Sequence, residues 1–216
     1  MKNIRYILLD LDGTLTDPMI GITRSVQHAL AFFGIKVDNL EDLCPFIGPP
    51  LIDSFKEFYH LTDEQAQVAL GKYREYFATK GIFENNEYEG IKDFLQSQVD
   101  QGRILMLATS KPEPFAKRIL DHFKLTHYFT FIGGSTLDGS RSTKTDVIKY
   151  VLSTNKITDL SRVIMIGDRK HDIEGAKNNG ISSIGVLYGY GSRTELEHAG
   201  ADFIVEDVKG LKSLLL

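Results

Sequence analysis

The stretch that most constrains this chain is residues 8–17, Leu-Leu-Asp-Leu-Asp-Gly-Thr-Leu-Thr-Asp. It continues an apolar run over residues 4–9, which only Arg5 interrupts and which is typical of a buried parallel strand. Two acids, Asp10 and Asp12, follow that run. Because side chains on a strand alternate between its faces, these two acids can share one side only at or just beyond the end of the strand.

Two acids that converge at a strand end imply a cation between them. In open α/β sheets the carboxyl ends of the strands are where ligands bind. Carboxylates at that edge repel each other unless a cation separates them. If Asp10 and Asp12 both face inward, a divalent ion with oxygen ligands, most simply Mg²⁺, is implied. The alternative interpretation is an ordinary turn, because the Asp-Gly pair at 12–13 is a common turn signal.

A second apolar strand that ends in an acid argues against the turn. Residues 163–167 read Val-Ile-Met-Ile-Gly and precede Asp168, and Asp172 follows one helical turn later. Turn chemistry alone does not explain why two separate strands end in carboxylates at one edge of a sheet. The pattern therefore favours a functional site at that edge.

Four motifs in this order resemble those of the haloacid dehalogenase superfamily. The stretch 10–14, Asp-Leu-Asp-Gly-Thr, is similar to its first motif, and the strand that ends in Thr109 is similar to its second. Lys144 stands in the place of the third, and Gly-Asp at 167–168 with Asp172 resembles the fourth. The resemblance covers nearly the whole chain. It implies a doubly wound, mostly parallel α/β sheet of the Rossmann-like type.

The motifs look most like those of the branch that includes phosphoglycolate phosphatases. Asp-Gly-Thr-Leu-x-Asp, typical of that branch, is present at 12–17, and Thr-x-Lys-Pro is present at 109–112. Ser110 stands where those enzymes usually have Asn. This departure bears on local hydrogen bonding more than on the reaction.

The resemblance implies a catalytic role for four residues. Asp10 matches the nucleophile that would form an aspartyl-phosphate intermediate. Asp12 would protonate the leaving alcohol and then activate water as a base. Thr109 would donate its hydroxyl to a phosphate oxygen, and Lys144 would supply a positive charge near Asp10 and the phosphate.

The metal and substrate contacts are expectations of the same kind. The expected Mg²⁺ ligands are the Asp10 and Asp168 carboxylates and, through its backbone carbonyl, Asp12. Asp172 is expected to support these ligands from behind or to contact the ion through a water molecule. The expected substrate-binding residues are Thr14, Ser110, Lys111 and, on the first helix of the insertion, Arg24.

The domain organisation follows from where strand signals are missing. Residues 17–82 contain helical patterns and no convincing strand, and the resemblance identifies them as a small helical cap inserted after the first strand. The predicted core consists of residues 1–16 and 83–216, where strands alternate with helices from Tyr88 onward.

Composition excludes several classes of partner. The 216 residues carry a net charge of −4 without a basic run, which argues against a nucleic-acid polymer. Nothing approaches the roughly 20 apolar residues of a membrane span. The single Cys44 excludes an intrachain disulfide, and no signal peptide is expected. The prediction is a cytoplasmic monomer or homodimer that acts on a small-molecule phosphate ester.

The leading hypothesis is a Mg²⁺-dependent phosphatase, with phosphoglycolate the substrate that the resemblance suggests. A 5′-nucleotide and pyrophosphate are alternative substrates, and sugar phosphomutase and a catalytically inactive phosphate-binding regulator are alternative classes. Dehalogenation is disfavoured because alcohol departure needs the acid Asp12 and halide departure does not. A dinucleotide enzyme would need a Gly-x-Gly-x-x-Gly turn after the first strand, which the chain lacks there, and a receiver domain fits the helical insertion poorly.

Overall fold

The computed structural model describes Met1 and residues 3–216. The chain forms two compact units. One unit, the core, consists of Met1–Asp17 and Glu87–Leu216, and the other, the insert, consists of Pro18–Asn86. The sequence interpretation had expected an insertion over residues 17–82.

The helices and strands alternate along the chain. In order they are β1 Tyr6–Leu9, β2 Thr16–Asp17, α1 Met19–Phe32, α2 Leu51–Tyr59, α3 Asp63–Phe77, β3 Asn86–Glu87, α4 Ile91–Asp100, β4 Ile104–Pro112, α5 Glu113–His122, β5 Phe129–Ser135, α6 Lys144–Thr154, β6 Val163–Gly167, α7 Lys170–Asn178, β7 Ser182–Val186, α8 Arg193–Ala199, β8 Phe203–Val205 and α9 Val208–Leu214. Among the described residues, four short 3₁₀ helices cover Leu40–Phe46, Gly81–Phe83, Thr126–Tyr128 and Leu160–Arg162.

Six strands form one sheet in the order β5-β4-β1-β6-β7-β8. Every pairing in this sheet is parallel. The doubly wound parallel sheet that the motifs predicted is therefore confirmed. Strand β1 lies between β4 and β6, and the later strands extend the sheet on both sides of it. In such sheets the crevice outside the carboxyl ends of the central strands is the ligand site.

The central strands are apolar along their length because the sheet is covered on both faces. In β1, residues 7–9 are all buried, and β6 is buried throughout. On one face, Leu8, Met106 and Met165 pack with α6 residues such as Val147 and Val151. Continuous burial of this kind is typical of a parallel sheet and differs from the alternation of a sheet with one wet face.

Strand β4 continues to Pro112, beyond Thr109, where the sequence predicts that it ends. Its register with β5 shifts between Ala108, which pairs with Gly133, and Pro112, which pairs with Ser135. In the structure, Thr109, Ser110 and Lys111 occupy an irregular segment before pairing resumes.

The insert, all of whose residues the structure describes, contains helices and no strand before β3. Helix α3 begins with a capping box, in which Thr62 and Gln65 bond each other's backbone N–H groups. The insert has its own apolar interior, which includes Phe55, Tyr73 and Phe77. Across the part of the chain that the structure describes, no helix combines the length and apolarity needed to span a membrane.

Candidate active site

The sheet order brings three predicted residues to one edge. Asp10 directly follows β1, Thr109 lies near the end of β4, and Asp168 directly follows β6. Because these strands are neighbours and parallel, their carboxyl ends meet. All three side chains are buried. Buried polar groups need partners, and the partners described below are other residues of the predicted motifs.

Three carboxylates converge at this edge. Asp10, Asp168 and Asp172 each offer one oxygen, and these oxygens lie within 4.8 Å of one another. Asp172 reaches the cluster because it lies in the first turn of α7, whose start follows β6 by two residues. The Asp172 carboxylate also accepts a hydrogen bond from the Arg169 backbone N–H at 3.1 Å, which fixes the carboxylate at the beginning of the helix.

Lys144 is buried among these acids. Its Nζ lies 2.8 Å from Oδ1 of Asp10 and 2.7 Å from Oδ1 of Asp172. It also donates a hydrogen bond to the backbone carbonyl of Ala108 at 3.0 Å. An ammonium at a helix N-terminus is unfavourable to the helix dipole, so its position is explained by the acids rather than by the helix.

Burial and like charges disturb the protonation of the acids. Burial raises the pKa of Asp168 well above its usual value, and the neighbouring carboxylates of Asp172 and Asp10 raise it further. Burial also raises the pKa of Asp172, although Lys144 opposes that shift. For Lys144, burial favours the neutral form, but the carboxylates of Asp10 and Asp172 outweigh it and raise its pKa. The cluster therefore holds more negative charge than one lysine offsets.

The Asp12 carboxyl group lies outside this cluster and has a different cation. Lys111 Nζ lies 2.5 Å from its Oδ2, and both side chains are largely buried. Burial raises the pKa of Asp12, and the attraction of Lys111 offsets only part of that shift. The expected metal contact of Asp12 concerned its backbone carbonyl, and the carboxylate is not among the three converging acids.

A glycine, one backbone N–H group and one side-chain hydroxyl surround the Asp168 carboxylate. Gly13 has φ +81°, and a Cβ on it would lie 2.2 Å from Oδ2 of Asp168, so only glycine fits against this carboxylate. The Tyr190 backbone N–H donates to Oδ2 at 2.8 Å, and Thr14 approaches Oδ1 at 3.4 Å. Thr14 therefore supports an acid of the cluster, a contact that its expected substrate role did not include. Tyr188 in turn donates to the Thr14 carbonyl at 3.0 Å.

The acid cluster fits a divalent cation. Oδ1 of Asp10 and Oδ1 of Asp172 are buried, and the Lys144 ammonium lies within ion-pair distance of both, at 2.8 Å and 2.7 Å. Three buried carboxylates beside one ammonium leave negative charge without a counter-ion, which is unfavourable. Carboxylate oxygens are also the ligands that Mg²⁺ prefers. Asp10, Asp168 and Asp172 therefore suit this ion.

The contacts of the other expected site residues are with groups outside the acid cluster. The Thr109 hydroxyl accepts a hydrogen bond from the Lys111 backbone N–H at 3.2 Å. Ser110 lies beside it in the irregular segment of β4. Arg24, in α1 of the insert, forms an ion pair with Glu84 at 2.5 Å. The contribution of Tyr190 was not predicted, although the Tyr-Gly-Tyr-Gly sequence after β7 was a recognisable signal of a loop at the sheet edge.

Comparison with known proteins agrees with these motifs. The family model of haloacid dehalogenase-like hydrolases matches residues 7–186. A 5′-nucleotidase of Pseudomonas aeruginosa is 44% identical over 214 residues, which cover 98% of this chain and 96% of that protein. A phosphoglycolate phosphatase of Vibrio cholerae is 27% identical over 225 residues, which cover 100% of this chain and 99% of that protein.

Two further matches are of interest. The tyrosine-protein kinase PtkA of Mycobacterium tuberculosis is 37% identical over 187 residues, which cover 87% of this chain and 63% of PtkA. A predicted phosphatase of Clostridium acetobutylicum, whose crystal structure is known, has 50% identity and a TM-score of 0.96, with 98% of each chain covered. The chain therefore belongs to the haloacid dehalogenase-like hydrolase family and is an enzyme of its phosphatase type.

Proposed function

We propose that this protein is a Mg²⁺-dependent phosphatase that hydrolyses a small phosphate monoester through an aspartyl-phosphate on Asp10. One observation carries the proposal. The Asp10 carboxylate lies buried directly after the central strand β1, with its Oδ1 2.8 Å from the Lys144 ammonium and beside the carboxylates of Asp168 and Asp172. A carboxylate held in this way is available as a nucleophile toward phosphorus.

The reaction has two steps on the chain's own residues. In the first, an oxygen of Asp10 forms a bond to phosphorus while the bond from phosphorus to the leaving alcohol breaks, and Asp12 gives its proton to the alcohol oxygen. In the second, Asp12 takes a proton from water as the water oxygen bonds to phosphorus and the bond to Asp10 breaks. Burial raises the pKa of Asp12, which favours the protonated form that the first step needs.

The remaining site residues would offset the negative charge of the phosphoryl group. Phosphoryl transfer depends mainly on positioning and on offsetting negative charge. Lys144 lies between two acids of the cluster and would face the transferred group beside Asp10. The Thr109 hydroxyl already accepts one hydrogen bond, so its proton remains to be donated to a phosphate oxygen. The backbone N–H groups of Leu11 and Ser110 would act in the same way.

Mg²⁺ would be held by Asp10 and Asp168, with the Asp12 carbonyl as a third ligand and with Asp172 directly or through water. The ion would supply positive charge to the transferred phosphoryl group. The fit rests on the three converging carboxylates, two of which share the ammonium of Lys144. The two buried lysines alone do not balance the four acids at this edge.

The relatives indicate which class of substrate to test first. The 5′-nucleotidase at 44% identity is much more similar to this chain than the phosphoglycolate phosphatase at 27%. A nucleoside 5′-monophosphate is therefore the first substrate to test, and phosphoglycolate, which the motifs suggested, is the second. The match to PtkA adds transfer of a phosphoryl group to tyrosine as a second candidate activity.

Release of inorganic phosphate from a panel of compounds tests the proposal. The panel contains 5′-nucleotides, phosphoglycolate, sugar phosphates and pyrophosphate, each measured with Mg²⁺ and with EDTA. We expect Mg²⁺-dependent release with one clearly preferred class, and no release from an Asp10→Asn variant purified in parallel. Release that EDTA does not reduce would contradict the metal requirement.

Two product analyses separate the other activities. Isomerised sugar phosphate without free phosphate would indicate a mutase. Incubation with labelled ATP and a tyrosine peptide would reveal kinase activity as label on the peptide. If none of the panel compounds releases phosphate and one of these products forms, the phosphatase proposal is wrong.

A further inference from the structure

The two acids of the first motif have separate cations. Lys144 is paired with Asp10, whereas Lys111 is paired with Asp12. The Lys111 side chain is only 6% exposed and that of Asp12 only 13%, so the second pair is not a surface ion pair. Burying an ammonium is costly unless it is paired, so this position calls for an explanation.

The two oxygens of the Asp12 carboxyl group differ. Oδ2 lies 2.5 Å from Lys111 Nζ, as a charge-assisted hydrogen bond. Oδ1 is buried and has no hydrogen-bond partner within the part of the chain that is described. One oxygen is therefore anchored, and the other is left for a group that is not part of this chain. That is the arrangement which a proton donor to a substrate requires.

The backbone around Lys111 is fixed as well. Its N–H donates to the Thr109 hydroxyl at 3.2 Å, within the irregular segment of β4. On the facing strand β5, a Cβ on Gly134 would lie 2.7 Å from the Lys111 carbonyl oxygen. The two backbones therefore approach so closely that this lysine has little freedom to shift along the strand.

We propose that Lys111 is a positioning residue that holds the Asp12 carboxyl group by Oδ2, so that Oδ1 faces the leaving group and then the attacking water. This inference rests on the proposed function. It differs from the earlier expectation that Lys111 binds substrate, because the nearest charged group that the structure gives for Lys111 Nζ is a protein carboxylate.

The proton balance is simple. The proton on Asp12 Oδ1 goes to the alcohol oxygen as its bond to phosphorus breaks, and the resulting carboxylate keeps its ion pair with the Lys111 ammonium. Water then returns a proton to the same oxygen as the phosphate is released. Lys111 neither gains nor loses a proton in either step. Its role is to fix the position of the Asp12 carboxyl group and to stabilise the carboxylate between the two steps.

Leaving groups of matched shape test the proposal. Phenyl phosphate and 4-nitrophenyl phosphate differ little in shape, but the nitrophenolate leaves with little need for a proton and the phenolate needs one more. The quantity to compare is kcat/KM, because it includes only the steps up to release of the leaving group. Wild-type protein, Lys111→Met and Asp12→Asn are measured with both compounds under Mg²⁺.

We expect Lys111→Met to lower kcat/KM for phenyl phosphate by about 10²-fold, and for 4-nitrophenyl phosphate by about tenfold less than that. Asp12→Asn should show the same pattern. An equal loss with both compounds would overturn the proposal, because a lysine that bound the phosphate would affect both alike. A wild-type protein that hydrolyses neither compound would instead count against the proposed function.

The double variant gives a second, independent readout. If Lys111 acts through Asp12, adding Lys111→Met to Asp12→Asn should cost less than about twofold more, since residues that act as a unit are not additive. If Lys111→Met lowers kcat/KM by the same factor with and without Asp12→Asn, the proposal is overturned. The double variant also removes both buried charges, so it remains measurable if Lys111→Met alone fails to fold.

Lys117→Met is the matched control. Lys117 lies on the neighbouring helix α5 and is also paired with a carboxylate, Glu113, at 2.6 Å, but it is 52% exposed. Its replacement should leave kcat/KM for both compounds unchanged. A loss that matched Lys111→Met would show that removing any paired lysine near this strand disturbs the enzyme, and would overturn the specific role of Lys111.

Discussion

Charged side chains are used differently in the core and in the insert. At the sheet edge, Lys144 is 4% exposed and is paired with two acids that are distant in sequence. In the insert, Lys56 is paired with Asp63 at 2.5 Å, but these side chains are 43% and 84% exposed. The same type of contact is therefore buried and shared at the sheet edge of the core, and solvated in this pair of the insert.

This difference indicates which charged residues belong to a functional site. An exposed ion pair contributes little, because water and salt screen it. A buried cluster of acids is unfavourable for folding, since each charge loses its hydration. A chain that keeps such a cluster at the carboxyl edge of its sheet gains nothing in stability from it. The buried acids therefore indicate function, whereas the pairs of the insert indicate ordinary solubility.

The largest expected effect comes from Asp10. Asp10→Asn keeps the shape of the side chain but removes the charge that attacks phosphorus. We expect turnover of the preferred substrate to fall at least about 10⁴-fold, because the nucleophile and its partners act as a unit. Steady-state kinetics with purified protein, checked for folding by circular dichroism, measure this. Activity near that of the wild type would remove Asp10 as the nucleophile.

A comparison of two lysines tests the contrast between the units directly. Lys144→Met should lower kcat by about 10²-fold or more, because it removes the cation that offsets charge beside Asp10. Lys56→Met, which breaks an exposed pair of similar length, should leave kcat and the midpoint of thermal unfolding nearly unchanged. If both variants lose activity to the same extent, burial does not distinguish functional from solvated charges in this protein.

The smallest of the three effects is a dependence of Mg²⁺ binding on pH. Burial and neighbouring acids raise the pKa of Asp168 and Asp172, the latter to about 6. Groups whose pKa is raised by folding favour the folded state at pH below their unfolded pKa. That contribution is lost as the pH rises through the folded pKa. The metal-free protein should therefore lose stability between about pH 4 and pH 7.

Mg²⁺ binds the ionised carboxylates, so it should restore stability in the same range. We expect Mg²⁺ to raise the thermal unfolding midpoint by several degrees at pH 8 and by less at pH 5. Differential scanning calorimetry with Mg²⁺ and with EDTA measures the shift. Asp168→Asn is the control that should abolish it at both pH values. A shift that is equal at pH 5 and pH 8 would contradict the pKa argument.

The sequence was most informative where chemistry and local pattern coincide. Asp10 and Asp168 each follow an apolar run, so both the strands and the edge at which they end were predictable. The alternation of strands and helices indicated the doubly wound sheet. The helical character of the insert followed from the absence of strand patterns, and the capping box at Thr62 was visible from residue types alone.

Other features could not be read from the chain. The pairing of Lys111 with Asp12 joins residues that are 99 positions apart, and the backbone contact of Tyr190 with Asp168 involves an N–H group that every residue except proline has. The extension of β4 to Pro112 depends on renewed pairing with β5. Local propensity does not encode contacts of this kind, because they depend on how separate segments pack.

The sequence by itself determined the strands and the acids that follow them. Residue type and strand periodicity are local properties, and they were sufficient to predict Asp10, Asp12 and Asp168 at strand ends, whereas the prediction for Lys144 came from the resemblance to the family. The tertiary structure alone decided which cation faces which acid, and which carboxylate oxygens are anchored. Those are decided by packing, because the parallel strands bring distant segments within hydrogen-bonding distance and burial makes each missing partner costly.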